Sequence, residues 1–372
     1  MSGETATLLR ALWRGEMPDW PAPVLSEQCF LEDVDAQGMG PMVRFQLDRL
    51  EESSTWPPGV LEGLRQRAIR EAAAEMARDA ELEVVLQAFA EEGIQALLLK
   101  GAALSHVLYP RPGLRPRCDT DLLVAEAHRD AAGMLMKNLG FRPLHEARVD
   151  QISAQMSWFR PGRTGVGHTL DVHWRISNND RRFSREFAHE RLLQRAVAVD
   201  ALGEHARTLA PADALLLACM HRAGHFSHSG DRLIWLHDIH LLAGSVTDTG
   251  LARFHGTVKA LGLESVCGDA LRVARYWFAT RLPQTLEAMC NDTEGKGRRG
   301  YLRVGRPAGI RGFVLRELGS MPWSERIRYI YQNLFPPPAY MRWRYASTGR
   351  VLLPWLYFRR LLQGVRILVG RW

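Results

Sequence analysis

Three aspartates in the first half of the chain have the spacing of a metal site. Asp119 and Asp121 flank a single threonine, and Asp171 lies in the segment Leu-Asp-Val-His-Trp at 170–174. Side chains at i and i+2 of a strand project to the same face. Mg²⁺ prefers hard oxygen ligands such as carboxylates and phosphates. If the two segments are neighbouring strands, the three acids converge and predict a site where two Mg²⁺ ions promote in-line displacement at a phosphorus atom.

A turn that suits a triphosphate precedes these acids. Lys100-Gly101-Ala102 follows a short apolar run and opens a helical segment. Glycine lets the backbone approach phosphates closely, and the N–H groups at a helix N-terminus favour negative charge. The turn therefore predicts that Lys100, Gly101 and Ala102 position the triphosphate.

The spacing of apolar residues predicts a mixed α/β unit around these side chains. Strands are predicted for residues 94–99, 121–124, 158–160 and 169–174, and helices for 60–92, 102–109 and 128–139. Beyond residue 182 the strand signals fade, and helices are predicted for 211–220, 233–242, 251–261 and 265–280. The polar, glycine- and arginine-rich stretch at 291–312 predicts a loop.

With these motifs, the sequence resembles the polymerase-β-like nucleotidyltransferases, in which a helix-opening glycine turn precedes Asp-x-Asp and a third acid on a later strand. It is more similar to a bacterial branch found in gene clusters for surface polysaccharides and peptide natural products. The shared features are the Lys-Gly turn, Arg115 four residues before the first acid, Asp-Val-His-Trp, and a helical region at 211–242 with His221 and Trp235…Asp238. The resemblance covers roughly residues 30–245.

The resemblance implies an α/β (α+β) catalytic domain followed by a mostly helical C-terminal region. It implies transfer of a nucleoside monophosphate from a nucleoside triphosphate to an unidentified hydroxyl or phosphate acceptor. Asp119 and Asp121 would bind both Mg²⁺ ions, and Asp171 would hold the catalytic one. Arg115 joins the nucleotide-binding residues, although it could equally form a structural ion pair. Ala102 departs from the Gly or Ser of the family pattern, so this position offers no hydroxyl to the γ-phosphate.

Composition and charge divide the chain into four predicted segments. Residues 1–60 form an N-terminal helical segment, 61–182 the catalytic core, 183–325 a helical domain, and 326–372 a basic amphipathic tail. The tail has nine arginines and no Asp, Glu or Lys, so it carries +9 and the other residues sum to 7 − 9 = −2. The net charge of +7 therefore does not indicate a nucleic-acid-binding body, and no specific nucleic-acid partner is expected.

The tail and the cysteines indicate where in the cell the protein is expected to act. Arginines interleaved with aromatic residues over 340–372 predict either peripheral contact with an anionic membrane or a terminal helix packed on the body. Five scattered cysteines without a CxxC pair argue against a disulfide framework or a zinc site. Because the sequence shows neither a secretory signal nor a run of ~18 apolar residues, a cytoplasmic location is expected, and the first of the two alternatives for the tail would add peripheral contact at the inner membrane surface.

Two other functions stay open. The chain could be a catalytically inactive descendant of the fold that acts as a scaffold in a membrane-associated biosynthetic assembly. It could also be an HD-like metal phosphohydrolase, because His237-Asp238 has the dipeptide of that class and His221 and His225 are spaced for one helix face. Gly224 and the Ser-His-Ser-Gly sequence after it are expected to break that helix. Packing roles for His221 and Asp238 are therefore favoured over a metal site.

Overall fold

The computed structural model describes residues 1–50, 55–144, 154–162, 167–176, 186–229, 231–291, 323–345 and 352–369. The chain forms two compact units, each assembled from separate stretches. The first comprises residues 1–84, 98–118 and 197–304, and the second comprises 85–97, 119–196 and 305–372. The boundaries of 1–60, 61–182, 183–325 and 326–372 drawn from composition stay a prediction.

Four neighbouring strands of the seven-stranded sheet lie in the second unit and carry two of the predicted acids. They are β2 (Thr120–Leu123), β3 (Arg142–Pro143), β4 (Gln155–Arg160) and β5 (His168–His173), in the order β3-β4-β5-β2. β2 and β5 are parallel, whereas β4 pairs antiparallel with both β3 and β5. The strand pattern that the sequence predicts around the acids is therefore confirmed.

Alternation along these strands gives the sheet one apolar face and one polar face. Leu122, Leu170, Val172 and Trp158 share the apolar face and are each at most 3% exposed. The helix α6 (Arg129–Asn138) packs on that face, since a methyl group added at Gly133 would lie 3.6 Å from the Trp158 ring. The carboxylates consequently lie on the opposite face.

The first unit is mostly helical. Its N-terminal helices are α1 (Gly3–Trp13), α2 (Glu27–Ala36), α3 (Gly40–Leu50) and the first part of α4 (Pro58–Glu91). After α5 (Lys100–Val107), its later helices are α8 (Pro211–Ser229), α9 (Leu233–Ser245), α10 (Asp248–Leu261), α11 (Glu264–Phe278) and α12 (Gln284–Asn291). Three short strands complete it, β1 (Leu97–Leu99), β6 (Val197–Ala198) and β7 (Arg207–Thr208), in the order β1-β7-β6.

Aromatic packing fixes the N-terminal helices of the first unit. Phe30 and Trp56 are almost fully buried, and their rings meet edge to face at 5.4 Å, as does the pair formed by Trp20 and Phe30. Side chains of α1, α3, α9 and α11 join the same core. Ser2 and Ser26 cap α1 and α2 by accepting hydrogen bonds from backbone N–H groups, which satisfies donors that a helix N-terminus leaves without a partner.

The remaining helices belong to the second unit. They are α7 (His189–Leu193), α13 (Trp323–Leu334), α14 (Pro338–Arg344) and α15 (Leu353–Val369). Within the described residues, no helix is long and apolar enough to cross a membrane. The predicted α/β fold with a mostly helical C-terminal region is confirmed.

Two predictions for the chain beyond residue 182 are corrected, one about a helix and one about the absence of strands. The helix that was predicted for 211–220 continues to Ser229, so Gly224 does not break it. A mid-helix glycine costs only about 1 kcal/mol relative to alanine, and Arg222 anchors this helix through ion pairs with Asp231 and Asp269 at 2.7 Å. The strands β6 and β7 have two residues each, too few for alternation to predict them. The predicted loop at 291–312 lies outside the described residues except for its first position.

A buried ion pair ties the residues before Asp119 to α4 within the first unit. Arg117 Nε donates to the two carboxylate oxygens of Glu75 at 2.9 and 2.8 Å, and both side chains are almost fully buried. Arg117 also pairs with Asp79 at 3.3 Å, and Ser105 donates to Glu75 at 3.3 Å. Glu75 therefore compensates a guanidinium that water does not reach.

We expect Glu75→Gln to lower the free energy of unfolding by about 3–5 kcal/mol, because it leaves a buried arginine without its main counter-charge. Urea unfolding followed by circular dichroism measures the loss. Glu62→Gln is the matched control on the same helix, where the Glu62–Arg65 pair is exposed to water and should matter little. Equal stability of the two variants would show that the buried pair does not hold this part of the chain.

Candidate active site

The register of β2 and β5 places two of the predicted acids side by side. Asp121 is the direct partner of Asp171 on the parallel strands, and Leu123 is the partner of His173. Residues 171 and 173 share a face of β5, so Asp121, Asp171 and His173 project from the same side of the sheet. One potential ligand atom of each of these three residues lies within 4.8 Å of the other two.

Two hydrogen bonds orient these carboxylates. His173 Nε2 lies 2.8 Å from Asp121 Oδ1, a contact in which the ring N–H can donate to the carboxylate. Gln155 Nε2 donates to Asp171 Oδ2 at 2.6 Å from the neighbouring strand β4. Asp121 and His173 are buried, and Asp171 is half-buried. Each acid thus has one oxygen oriented by a hydrogen bond.

The donor set fits a divalent cation. Asp171 Oδ1 is buried, and it has no hydrogen-bond partner among the residues that the structure describes. A buried carboxylate oxygen without a partner is costly, and a bound cation would satisfy it. Mg²⁺ in nucleotide-processing sites is held by one or two carboxylates together with phosphate oxygens. Asp121 and Asp171 match that requirement.

The third predicted ligand lies outside this group. Asp119 is exposed, just before the first residue of β2. In the described part of the chain, the cluster of possible ligands contains His173 in addition to Asp121 and Asp171, but not Asp119. The role of Asp119 in binding both ions stays a prediction.

The predicted phosphate-binding turn lies at the start of α5 in the first unit. Lys100 has φ of +51°, in the left-handed region that a residue with a side chain rarely adopts. Such strain is often retained at functional turns. Ala102 is 1% exposed, so its methyl group packs in the core. Phosphate contacts by Lys100, Gly101 and Ala102 stay predictions.

Arg115 forms a buried ion pair with Asp238. Arg115 Nη2 donates to Asp238 Oδ2 at 2.6 Å and Nε donates to Oδ1 at 3.3 Å, while the Tyr109 hydroxyl donates to Oδ1 at 2.7 Å. The same guanidinium packs against Gly101, where an added Cβ would lie 2.7 Å from Arg115 Cζ. Of the two roles considered for Arg115, the geometry favours the structural ion pair. Its contact with a nucleotide stays a prediction.

Among the described side chains, the histidine-rich helices contain no cluster of possible metal ligands. His237 packs edge-on against Trp13 and Phe278, and its Nδ1 lies 3.1 Å from the Tyr109 hydroxyl. Burial, reinforced by nearby His240 and Arg115, lowers the pKa of His237 well below its usual value, so the ring is neutral. His221 packs against Trp235 at 5.0 Å. These contacts favour the packing roles over the phosphohydrolase hypothesis; the side chain of His225 lies outside the described residues.

Two contacts in this site were not predicted from the sequence. Gln155 reaches Asp171 only because β4 and β5 pair with Ser157 opposite Asp171, and a single sequence does not reveal that register. His173 lies two residues after Asp171 on the same strand, so alternation alone puts the two side chains on one face. Its bond to Asp121 depends on β2 lying beside β5.

Comparison with known proteins gives one clear relationship. A family model described as an uncharacterised nucleotidyltransferase matches residues 25–279, more than half of the chain. The crystal structure of an antigenic nucleotidyltransferase-like protein from Paracoccidioides brasiliensis is similar at 15% identity and a TM-score of 0.36, covering 55% of this chain and 94% of that one. That likeness is too distant to bear on fold or activity. No curated protein matches the sequence.

The contact between Gly101 and Arg115 predicts that Gly101→Ala will destabilise the protein. The added methyl must displace a buried, ion-paired guanidinium, and overpacking of this kind costs about 1–3 kcal/mol. Thermal or urea unfolding measures the loss. Gly256→Ala is the control, because that helical position has open space around it and alanine should stabilise it by about 0.5–1 kcal/mol. Unchanged stability of Gly101→Ala would contradict the prediction.

Proposed function

Because the chain belongs to the uncharacterised nucleotidyltransferase family, we propose that it transfers a nucleoside monophosphate from a nucleoside triphosphate to a hydroxyl or phosphate acceptor with the help of Mg²⁺. Pyrophosphate is the leaving group. The family supports nucleotidyl transfer in general, and the acceptor and the ion are part of the proposal. A biosynthetic acceptor, such as a polysaccharide or peptide precursor, fits the resemblance described above.

The observation that carries the proposal is the pairing of Asp121 with Asp171, together with the buried carboxylate oxygen of Asp171 that has no partner among the described residues. These two residues would hold Mg²⁺, and Asp119 would complete the ligands of a two-ion site. Bound Mg²⁺ supplies charge neutralisation at the phosphates and lowers the pKa of an oxygen nucleophile. Catalysis of this kind depends mainly on positioning and electrostatic stabilisation.

The neighbouring side chains have positioning roles in this proposal. His173 holds Asp121 through Oδ1, and Gln155 holds Asp171 through Oδ2. Each bond fixes the position of one carboxylate oxygen. Two adjacent carboxylates repel each other when both are ionised, so these donors lower the cost of keeping the pair charged before the ion binds. Lys100, Gly101 and Ala102 are proposed to contact the triphosphate.

The direct test is mass detection of a nucleotidylated product after incubation with each nucleoside triphosphate, Mg²⁺ and acceptors of two classes, hydroxyl compounds and sugar phosphates. A product heavier by one nucleoside monophosphate supports the proposal. A protein that binds Mg²⁺ and nucleotide without forming product with any acceptor leaves the transfer step unsupported. Absence of Mg²⁺-dependent nucleotide binding favours the scaffold alternative.

We expect the double variant Asp121→Asn, Asp171→Asn to abolish the rise in melting temperature that Mg²⁺ with nucleoside triphosphate produces in the parent protein. A ligand that binds the folded state stabilises it by mass action, and neutral amides cannot replace the charge that holds the ion. Asp19→Asn is the matched control, since Asp19 is exposed in a loop. The same rise in the double variant would place the nucleotide elsewhere.

His173→Ala should weaken Mg²⁺ binding by about 10–100-fold, the range found when a residue that orients a metal ligand is removed. Titration with Mn²⁺ as a paramagnetic substitute measures the affinity without requiring turnover. His173→Gln keeps an N–H donor for Asp121 and should recover part of the loss. His205→Ala, whose ring contacts Glu204 at a solvent-accessible position, is the control. Equal affinities in all four proteins would remove His173 from the site.

A further inference from the structure

The C-terminal helices of the second unit expose apolar side chains that the proposed reaction does not use. On α13, Trp323, Ile327 and Ile330 are 75%, 64% and 43% exposed. On α15, Trp355, Phe358 and Leu362 are 55%, 51% and 40% exposed. Each set follows the i, i+3/i+4, i+7 spacing of one helix face. These six side chains are called the tail surface.

The tail surface belongs to folded helices. Leu356 and Met341 are buried where α15 contacts α14. Arg360 Nε donates to the Asn333 carbonyl at 2.6 Å, and Tyr345 donates to Gln363 at 2.8 Å. The interior side of α15 is therefore already occupied, and its apolar stripe at Trp355 and Phe358 faces outward.

The charge around the tail surface is almost entirely positive, with Glu325 on α13 as the one acidic side chain in the sequence from 323 to 372. Residues 326–372 contain nine arginines and no Asp, Glu or Lys. Arg342, Arg344 and Arg359 are exposed, and Arg359 lies next to Phe358 in the sequence. Aromatic side chains and arginine also occur together in protein–protein interfaces, so a protein partner is one outcome of the tests below. Apolar side chains bordered by many arginines match the two layers of an anionic bilayer surface, with acyl chains beneath and phosphates above.

We infer that the tail surface docks on an anionic lipid bilayer, with its aromatic and aliphatic side chains at the level of the acyl boundary and its exposed arginines at the lipid phosphates. The 17 residues of α15 lie along the surface and do not span it, since no described helix meets the requirements of a membrane span. This inference does not depend on the proposed transfer reaction. It assigns the chain a place of action at a membrane surface.

Vesicle flotation of the full chain tests the electrostatic part. Vesicles of phosphatidylcholine mixed with phosphatidylglycerol should carry the protein upward, whereas phosphatidylcholine alone should not. Raising the salt from about 0.15 M to about 1 M shortens the Debye length from about 8 Å to about 3 Å and should weaken the binding. Failure to float with anionic vesicles at low salt overturns the inference.

Charge-matched variants localise the binding. Each arginine near an anionic surface contributes about 1 kcal/mol, about fivefold in partitioning, so the triple variant Arg342→Ser, Arg344→Ser, Arg359→Ser should bind at least tenfold more weakly. The control with the same charge change is Arg70→Ser, Arg207→Ser, Arg253→Ser, at exposed positions of the first unit. An equal loss in both triples would mean that the attraction is a property of net charge and would overturn the inference.

A second pair of variants tests whether the apolar side chains of the tail surface contribute to vesicle binding. Trp355→Ser with Phe358→Ser should reduce flotation even at low salt, whereas Met76→Ser with Met134→Ser, which are 73% and 67% exposed, should not. Circular dichroism verifies that both double variants are folded like the parent protein. Sedimentation velocity tests two other partners for the tail surface, a second copy of the chain and a nucleic acid. A dimer that Trp355→Ser dissociates, or an oligonucleotide complex that competes with vesicles and is lost in the arginine triple, would assign the tail surface to that partner and overturn lipid docking.

Discussion

Two carboxylates held side by side are the constraint on which the proposed site depends. Asp121 and Asp171 are direct partners on parallel strands, and like charges in that position destabilise a sheet. The apolar face of the same strands offsets the cost, because Leu122, Leu170, Val172 and the ring of Trp158 are buried beneath α6. A shift of one residue in either strand would turn the acids towards that core. Burial on one face thus fixes the register that brings the charges together on the other.

Packing also constrains the position of a charged group around Gly101. Because Gly101 has no side chain, the guanidinium of Arg115 fits against it and pairs with Asp238, which also accepts a hydrogen bond from the Tyr109 hydroxyl. Removing either partner of a buried pair leaves an uncompensated charge. A glycine that the sequence marks as a phosphate-binding turn therefore also has a packing requirement. Loss of activity on its substitution would not by itself identify a phosphate contact, and a stability measurement is needed to separate the two.

Local patterns predict much of the fold and the strands that carry Asp121 and Asp171. Alternation placed Asp171 and His173 on one face, and apolar periodicity located α4, α6 and the helices after residue 211. Contacts that depend on register or on distant parts of the chain were not predictable. Gln155 meets Asp171 through an antiparallel pairing, and Arg115 meets Asp238 across 123 positions. The helix through Gly224 is not predictable from local propensity alone, because the carboxylates that anchor Arg222 lie outside the helix at Asp231 and Asp269.

The use of arginine differs between the body of the chain and its tail. In the first unit, the buried guanidiniums of Arg115, Arg117 and Arg222 each face a carboxylate, from Asp238, Glu75 and Asp231 respectively. Such pairing is what allows a charge to be buried. Residues 326–372 have no carboxylate side chain to offer, so their arginines can be neutralised only by groups outside that segment. Repulsion among nine like charges disfavours compact helices, and an external anionic surface would relieve it. The apolar side chains exposed between the arginines make a bilayer a better source of those anions than dissolved salt, because only the bilayer also buries them.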